Sequence, residues 1–154
     1  MTNSTALEAY TIGDKDTRPW GTYEVTDVGT SDKGEFCEKL IIVSPANILS
    51  LQSHDMREET WRVVEGTLTV ILNEHVMILQ AGEEIFIPKG SIHAMANLAD
   101  APCHVFERQE GICREEDIHR YMDMYGRDVA QSDDPIVIAS LEAYTDTLQK
   151  IKAL

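Results

Sequence analysis

The chain has 154 residues, a length that predicts one domain and leaves no room for a catalytic domain plus a separate regulatory one. Apolar residues make up 43% and charged residues 26%, enough for a sizeable core and too apolar for a disordered segment. With 13 Lys and Arg against 27 Asp and Glu the formal net charge is −14, which argues against nucleic acid and anionic membranes as partners.

No apolar run approaches the ~20 residues of a membrane span. Met1 to Tyr10 has neither a basic start nor an apolar stretch of the secretory kind. Cys37, Cys103 and Cys113 are odd in number and lack C-x-x-C spacing, which suits a reducing, cytoplasmic setting better than a disulfide framework.

Residues 1–17 are polar and aperiodic and are expected to form an N-terminal arm. From Trp20 the text becomes short stretches rich in β-branched and aromatic residues. Trp20–Val28, Glu35–Ser44, Thr60–Glu65, Thr67–Asn73, Val76–Gln80, Glu84–Pro88, Ile92–Asn97 and Cys103–Gln109 each read as a strand, separated by turn-formers such as Gly34, Pro45-Ala46-Asn47, Gly66, Ala81-Gly82 and Lys89-Gly90. Such close, regular spacing predicts an all-β sandwich or barrel. In Thr67–Leu72, Leu68, Val70 and Leu72 alternate with Thr67 and Thr69, whereas Glu84–Ile87 is nearly all apolar and reads as a strand buried on both faces.

After Gly111 the period changes. Glu115, Glu116 and Asp117 suit a helix start, and Ile118, Tyr121, Met122 and Tyr125 recur at helical spacing before Gly126. A second helix is expected after Asp133-Asp134-Pro135, with Leu141, Tyr144, Leu148 and Ile151 as its apolar stripe, packed on the barrel or on a second subunit.

Chemistry concentrates in two segments. Gln52 and His54 are two apart on a strand and leave the same face, and Glu59 follows across a short loop. The second segment brings His93 just after Pro88-Lys89-Gly90. Two imidazoles, a carboxylate and an amide oxygen make a mixed site for one divalent metal ion, Zn²⁺, Mn²⁺, Fe²⁺, Co²⁺ or Ni²⁺. Gln52, a neutral amide, is the weakest ligand and can serve the substrate instead. Lys39 has opposite parity to Leu40 and Ile42, so if those two face outward it points into the barrel mouth. Arg57 lies between the ligands His54 and Glu59, where a solvated pair with Glu58 is the alternative to a functional role. Glu107 and Gln109 share a strand face, and Trp20 and Trp61 read as core.

The pattern Gln52-x-His54-x4-Glu59-x6-Gly66 followed by Gly82-x5-Pro88-x-Gly90-x2-His93-x3-Asn97 resembles the paired motifs of the cupin superfamily. Ala46 departs from it, standing where the first motif usually opens with Gly, and Gln52 replaces the more common His. The second departure narrows the match to phosphomannose isomerases. Arg18-Pro19-Trp20-Gly21-x-Tyr23, Trp61-x-Val63-Val64-Glu65-Gly66, Glu107-x-Gln109-x-Gly111 and Glu116-Asp117-Ile118-His119-Arg120-x2-Asp123-x-Tyr125-Gly126-Arg127 are similar to the type II phosphomannose isomerase domain. The resemblance covers residues 18–127 and implies a double-stranded β-helix, the cupin or jelly-roll barrel, with short C-terminal helices; residues 128–154 form a helical tail outside it.

What the resemblance implies is a metal-dependent isomerase acting on a phosphorylated hexose, interconverting mannose 6-phosphate and fructose 6-phosphate. Arg57 then faces the substrate, and Arg57 or Arg127 holds the phosphate. Arg120 is expected to stabilise the enediolate, with Lys39, Glu58 and Glu107 as candidate general bases. In many members this domain follows a mannose-1-phosphate guanylyltransferase domain; no Gly-rich nucleotide-binding segment precedes it here, so guanylyl transfer is not expected of this chain. The alternatives are an Fe(II)-dependent dioxygenase, because His54, Glu59 and His93 alone make a 2-His-1-carboxylate set, and a non-catalytic sugar-phosphate-binding cupin. Exposed barrel edges and the apolar stripe predict a homodimer.

Overall fold

The structure, a computed structural model, describes residues 9–125 and 132–154. Gly126 and Arg127 of the C-terminal motif lie outside the described residues. The strands, in chain order, are β1 (Lys15–Arg18), β2 (Gly21–Ser31), β3 (Gly34–Val43), β4 (Asn47–Ile48), β5 (Leu51–Ser53), β6 (Arg57–Glu65), β7 (Thr67–Leu72), β8 (His75–Gln80), β9 (Glu84–Ile87), β10 (His93–Asn97), β11 (Cys103–Gly111) and β12 (His119–Met122), followed by the helix α1 (Pro135–Lys152). They form two antiparallel sheets, one ordered β1-β2-β3-β11-β6-β9 and the other β12-β5-β10-β7-β8, with β4 also on β10. All eight strands read from the hydrophobic pattern are present.

Period-2 alternation explains where the core and the site lie. On β3 the inward residues are Cys37, Lys39, Ile41 and Val43; on β6 they are Arg57, Glu59, Trp61 and Val63; on β11 they are Cys103, Val105, Glu107 and Gln109. One end of each inner face is apolar, and Ile41, Val43, Trp61, Val63, Cys103 and Val105 pack there with Leu68, Val70 and Met95 of the opposite sheet. The other end carries the charged and amide side chains. The barrel interior is thus divided into a packed floor and a polar mouth.

The second sheet is covered on its outer face. Ile71, Ala94 and Ala96 point away from the barrel interior and meet Val137, Ala143, Tyr144 and Ile151 of α1. Asp134 caps this helix by accepting the Ile136 N–H at 2.8 Å, Pro135 opens it, and Lys150 and Lys152 lie in its last turn. The Tyr144 hydroxyl donates to the Leu49 carbonyl at 2.9 Å. The apolar stripe is therefore spent on the chain's own barrel.

Three local expectations are corrected. Residues 119–122 form β12 and no helix begins at Glu115; pairing of His119 with Ser53 and Arg120 with Gln52 on β5 outweighs a short amphipathic pattern. Lys15–Arg18, placed in the arm by its polarity, pairs with Gly21–Glu24 of β2. The run Glu84–Ile87 is not buried on both faces: β9 is the edge of its sheet, and Phe86 is 49% exposed.

Two backbone positions depend on local geometry. A Cβ at Gly21 would lie 1.9 Å from the Ile42 carbonyl oxygen, so only glycine allows β2 and β3 to approach so closely there. Ala46, in the turn before β4, has φ of +57° and holds a left-handed conformation without the freedom of glycine.

Candidate active site

Three side chains from different segments of the two sheets converge at the polar mouth. His54 follows β5, Glu59 stands on β6 and His93 opens β10, and one ligand atom from each lies within 4.8 Å of the others. All three are buried. Gln52 pairs in register with His93 across β5 and β10 and lines the same cavity, where its amide oxygen accepts from the Ser50 hydroxyl at 3.3 Å.

The hydrogen bonds set each imidazole for ligation through Nε2. His54 Nδ1 donates to the Asp117 carbonyl at 2.6 Å, and His93 Nδ1 donates to the Ser91 carbonyl at 3.0 Å. Each Nε2 is then left with a lone pair pointing inward. His93 Nε2 is buried with no hydrogen-bond partner, while His54 Nε2 accepts from Arg57 at 3.2 Å. Burial pushes the His54 pKa down to about 3 and lowers that of His93, so both rings are neutral. Burial works against the ionised form of Glu59, but the Arg57 guanidinium holds its pKa well below the usual carboxylate range. Two neutral imidazoles and one anionic carboxylate fit a divalent ion, and the orphaned His93 Nε2 is a donor atom that such an ion would satisfy.

Glu59 is itself held at both oxygens. Arg57 Nε donates to Oε2 at 2.9 Å and Trp61 Nε1 donates to Oε1 at 2.9 Å. Trp61 also meets the His93 ring edge-on at 5.4 Å between centroids. Trp61 is therefore a core residue, as its sequence suggests, and a positioning residue as well.

Around this centre the cavity is lined by the cations Arg18, Lys39, Arg57 and Arg120 and by Glu59, Glu107 and Glu115. Leu40 and Ile42 are on the outer side of β3, and Lys39 points inward with its ammonium 3.8 Å from the Tyr10 ring centroid and 4.7 Å from that of Tyr23. Burial lowers the Lys39 pKa. Burial, and then the neighbouring Glu59 carboxylate, push the Glu107 pKa up to about 8. Gln109 donates to Glu107 at 2.9 Å.

The structure does not bring every expected residue to the cavity. Glu58 lies on the outward side of β6, half-buried, and pairs with Lys33 at 2.8 Å; the strand's alternation directs its neighbours Arg57 and Glu59 inward and Glu58 away. This also overturns the reading of Arg57 as a solvated partner of Glu58. Arg57 is 6% exposed and committed to Glu59, to the Arg114 carbonyl at 2.8 Å and to His54. Arg127 lies outside the described residues.

Several lining residues had little signal in the sequence. Arg18 at the rim pairs with Glu115, and Tyr10 reaches the cavity from the N-terminal segment, which is tied to β2 by Gly13 N–H to Val25 carbonyl and Val25 N–H to Asp14 carbonyl bonds of 2.8 Å each. Nothing in the local pattern marks Tyr10. Arg18 and Asp117 stand within the quoted motifs, and Asp117 was masked by its resemblance to a helix-start acid.

Known proteins share this chain's sequence and its fold. Residues 6–123 match the family described as mannose-6-phosphate isomerase C-terminal. The alginate biosynthesis protein AlgA of Pseudomonas syringae pv. tomato is 41% identical over 111 residues, 71% of this chain and 22% of that protein. The mannose-1-phosphate guanylyltransferase ManC of Salmonella typhimurium is 39% identical over 111 residues, with the same 71% and 22% coverage. The chain thus spans about a fifth of the length of these relatives. The cupin domain of Schizosaccharomyces pombe Cnp3 superimposes with a TM-score of 0.50 at 8% identity, over 58% of this chain and 64% of that one, a likeness of fold alone. With most of its length matched and two cupin-like sheets around a His-Glu-His group, the chain belongs to the mannose-6-phosphate isomerase C-terminal family.

Proposed function

We propose that this chain interconverts mannose 6-phosphate and fructose 6-phosphate, with a divalent metal ion held by His54, Glu59 and His93 and with Gln52 beside them. The carrying observation is that His54 and Glu59 of this ligand group, with Gln52, line one cavity together with Lys39, Glu107 and Arg120, and that His93 lies buried against the two of them. When bound, the ion would supply Lewis-acid polarisation of the sugar oxygens at C1 and C2. The chain's own residues do the rest.

In the open-chain aldose the C2–H bond breaks and its proton is returned to C1, while a proton moves from the C2 hydroxyl to the C1 oxygen. Lys39 and Glu107 are the groups we assign to carry those protons, an assignment supported by their pairing across β3 and β11. Arg120 is the donor for the negative charge that develops on the two oxygens. The cations at the mouth oppose the repulsion that a −14 chain exerts on a phosphate dianion. Arg57, committed to Glu59, acts chiefly by holding that ligand, and Arg18 at the rim joins Arg127 as a candidate phosphate contact.

A coupled assay of the metal-loaded protein against a panel of hexose and pentose 6-phosphates tests the reading. Turnover confined to mannose 6-phosphate and fructose 6-phosphate supports it. Binding of these sugars without turnover would replace it with a sugar-phosphate-binding role, and oxygen consumption on Fe²⁺ loading with a small-molecule substrate would replace it with a dioxygenase.

The same proposal places the protein in the cytoplasm, in keeping with three buried free thiols and with the absence, among the described residues, of any helix long and apolar enough to cross a membrane. It also includes a homodimer. Since the apolar stripe of α1 covers its own barrel, the surfaces assigned to it are the sheet edges at β8 and β9, where Val76, Ile78 and Phe86 are exposed. A solution mass equal to the 17.3 kDa of one chain would remove that part.

A further inference from the structure

We infer that Asp117 is a positioning residue that fixes the ring orientation and tautomer of His54 from the segment joining β11 to β12. The inference rests on the metal-centre reading above. His54 stands just beyond β5, at the start of the turn that leads into β6; the Gly90 N–H holds its carbonyl at 2.9 Å, but that bond does not set the orientation of its ring. Asp117 takes hold of this turn at three successive residues. Its carbonyl accepts from His54 Nδ1 at 2.6 Å, and its carboxylate oxygens accept the N–H groups of Asp55 and Met56 at 2.9 Å each.

Both functions of the residue are needed for the effect. The carboxylate fixes where the turn lies relative to residue 117, and that fixed distance lets the carbonyl meet the imidazole. Donation at Nδ1 leaves the proton-free nitrogen at Nε2, which faces Glu59 at 3.4 Å. A ring flipped about its bond to Cβ would present neither nitrogen correctly. Asp117 is 6% exposed, so water cannot substitute for it at little cost. The clamp is itself anchored: the Asp117 N–H reaches the Arg114 carbonyl at 3.3 Å, the carbonyl that also accepts from Arg57. With no helix at this position, the acid has no helix start to serve.

The test uses the full chain and its Asp117→Ala and Asp117→Asn variants, with Co²⁺ as the probe metal in competition with a chelator. Loss of a partner that orients a ligand imidazole weakens metal binding by about 10–100-fold, and this is the expected effect of Asp117→Ala. Asn keeps one acceptor but turns an amide N–H₂ toward the second backbone N–H, so Asp117→Asn falls between. In the metal-free protein, long-range ¹⁵N–¹H spectra should show His54 as the Nδ1–H tautomer in the parent and a mixture with the Nε2–H tautomer in the variants.

Folded variants with Co²⁺ affinity within about twofold of the parent and an unchanged tautomer would overturn the inference and leave Asp117 a simple tether. If Asp117→Ala does not fold, Asp117→Asn decides on the same criteria. If the parent binds no Co²⁺, the metal-centre reading fails, and the tautomer comparison alone then decides the positioning role.

Discussion

Lys39 and Glu107 are register partners on adjacent strands, and both side chains enter the polar mouth of the barrel. Neither ionises as it would in water, because burial disfavours the charged form of each. For Glu107 the folded-state pKa is raised from 4.5 to about 8. Between those values the folded chain binds more protons than the unfolded one, so this group's contribution to stability is full below pH about 4.5 and is lost as the pH rises through about 8. In metal-free protein, Glu107→Gln should remove that decline. Urea unfolding across the window should show the variant gaining on the parent as pH rises; parallel curves would place Glu107 in an ordinary carboxylate environment. Lys39 has the opposite sign: its lowered pKa makes stability rise with pH up to the ordinary lysine value, and Lys39→Met should be more stable than the parent at neutral pH.

The ligands differ in what else depends on them. Replacing Glu59 by Gln strips the buried Arg57 of its counter-charge, a change that costs about 3–5 kcal/mol when one partner of a buried pair is removed. His93→Gln removes no charge partner and should cost about 1–3 kcal/mol, the range for a buried polar group left imperfectly paired. Both should abolish Co²⁺ binding. Denaturant unfolding of the two variants checks the order, and adding Arg57→Met to Glu59→Gln should recover much of the loss. Equal costs for the two single variants would show that Arg57 does not rely on Glu59.

Arg120 and Arg57 should fail in different ways. A donor aimed at developing charge acts on the transition state more than on the bound sugar, so Arg120→Lys should lower kcat by about 10²–10³ with a smaller change in KM. Arg57→Lys loses the planar fork that reaches Glu59, the Arg114 carbonyl and His54 together, so its defect should appear in thermal stability and metal affinity before turnover. A large rise in KM with near-normal kcat in Arg120→Lys would move Arg120 to the phosphate.

Ala46 offers a gain. Its left-handed conformation costs an L-residue about 1–2 kcal/mol, against about 0.5–1 kcal/mol of extra chain entropy that glycine loses on folding. Ala46→Gly should therefore raise stability by about 0.5–1 kcal/mol, readable as a Tm increase of about 1–4 °C. A decrease would mean that the methyl group's packing against the α1-side cluster outweighs the strain.

The strands and the ligand group were legible because both are carried by short-range pattern. β-branched, aromatic and other apolar residues recur along β2, β3 and β7, and Gln52, His54, Glu59 and His93 stand at spacings that a metal site needs. β5 is too short to show a period, and only its motif marks it. The segment around β12 was misread because Ile118, Tyr121, Met122 and Tyr125 happen to match a helical repeat, while the ladder with β5 that decides the matter is remote in sequence. Tyr10 illustrates the limit most clearly. Its place over Lys39 depends on how Gly13 and Asp14 bond to Val25, which no property of Tyr10 announces. Arg57 was legible as important but not as the support of Glu59, since that role requires knowing that both point inward from β6.

The insertion of β11 between β3 and β6 also governs how the molecule can be made. During synthesis β3 and β6 emerge well before β11, the strand with which both pair in the finished sheet. Until Cys103–Gly111 leaves the ribosome, both strands expose bare backbone edges of the kind that recruits other chains. Such late, long-range pairing also slows folding. A nascent chain halted in the turn before Cys103 would carry Lys39 on one open edge and Glu59 on the other, with no cavity between them. The strand that completes the chemistry is thus also the one that closes these two backbone edges.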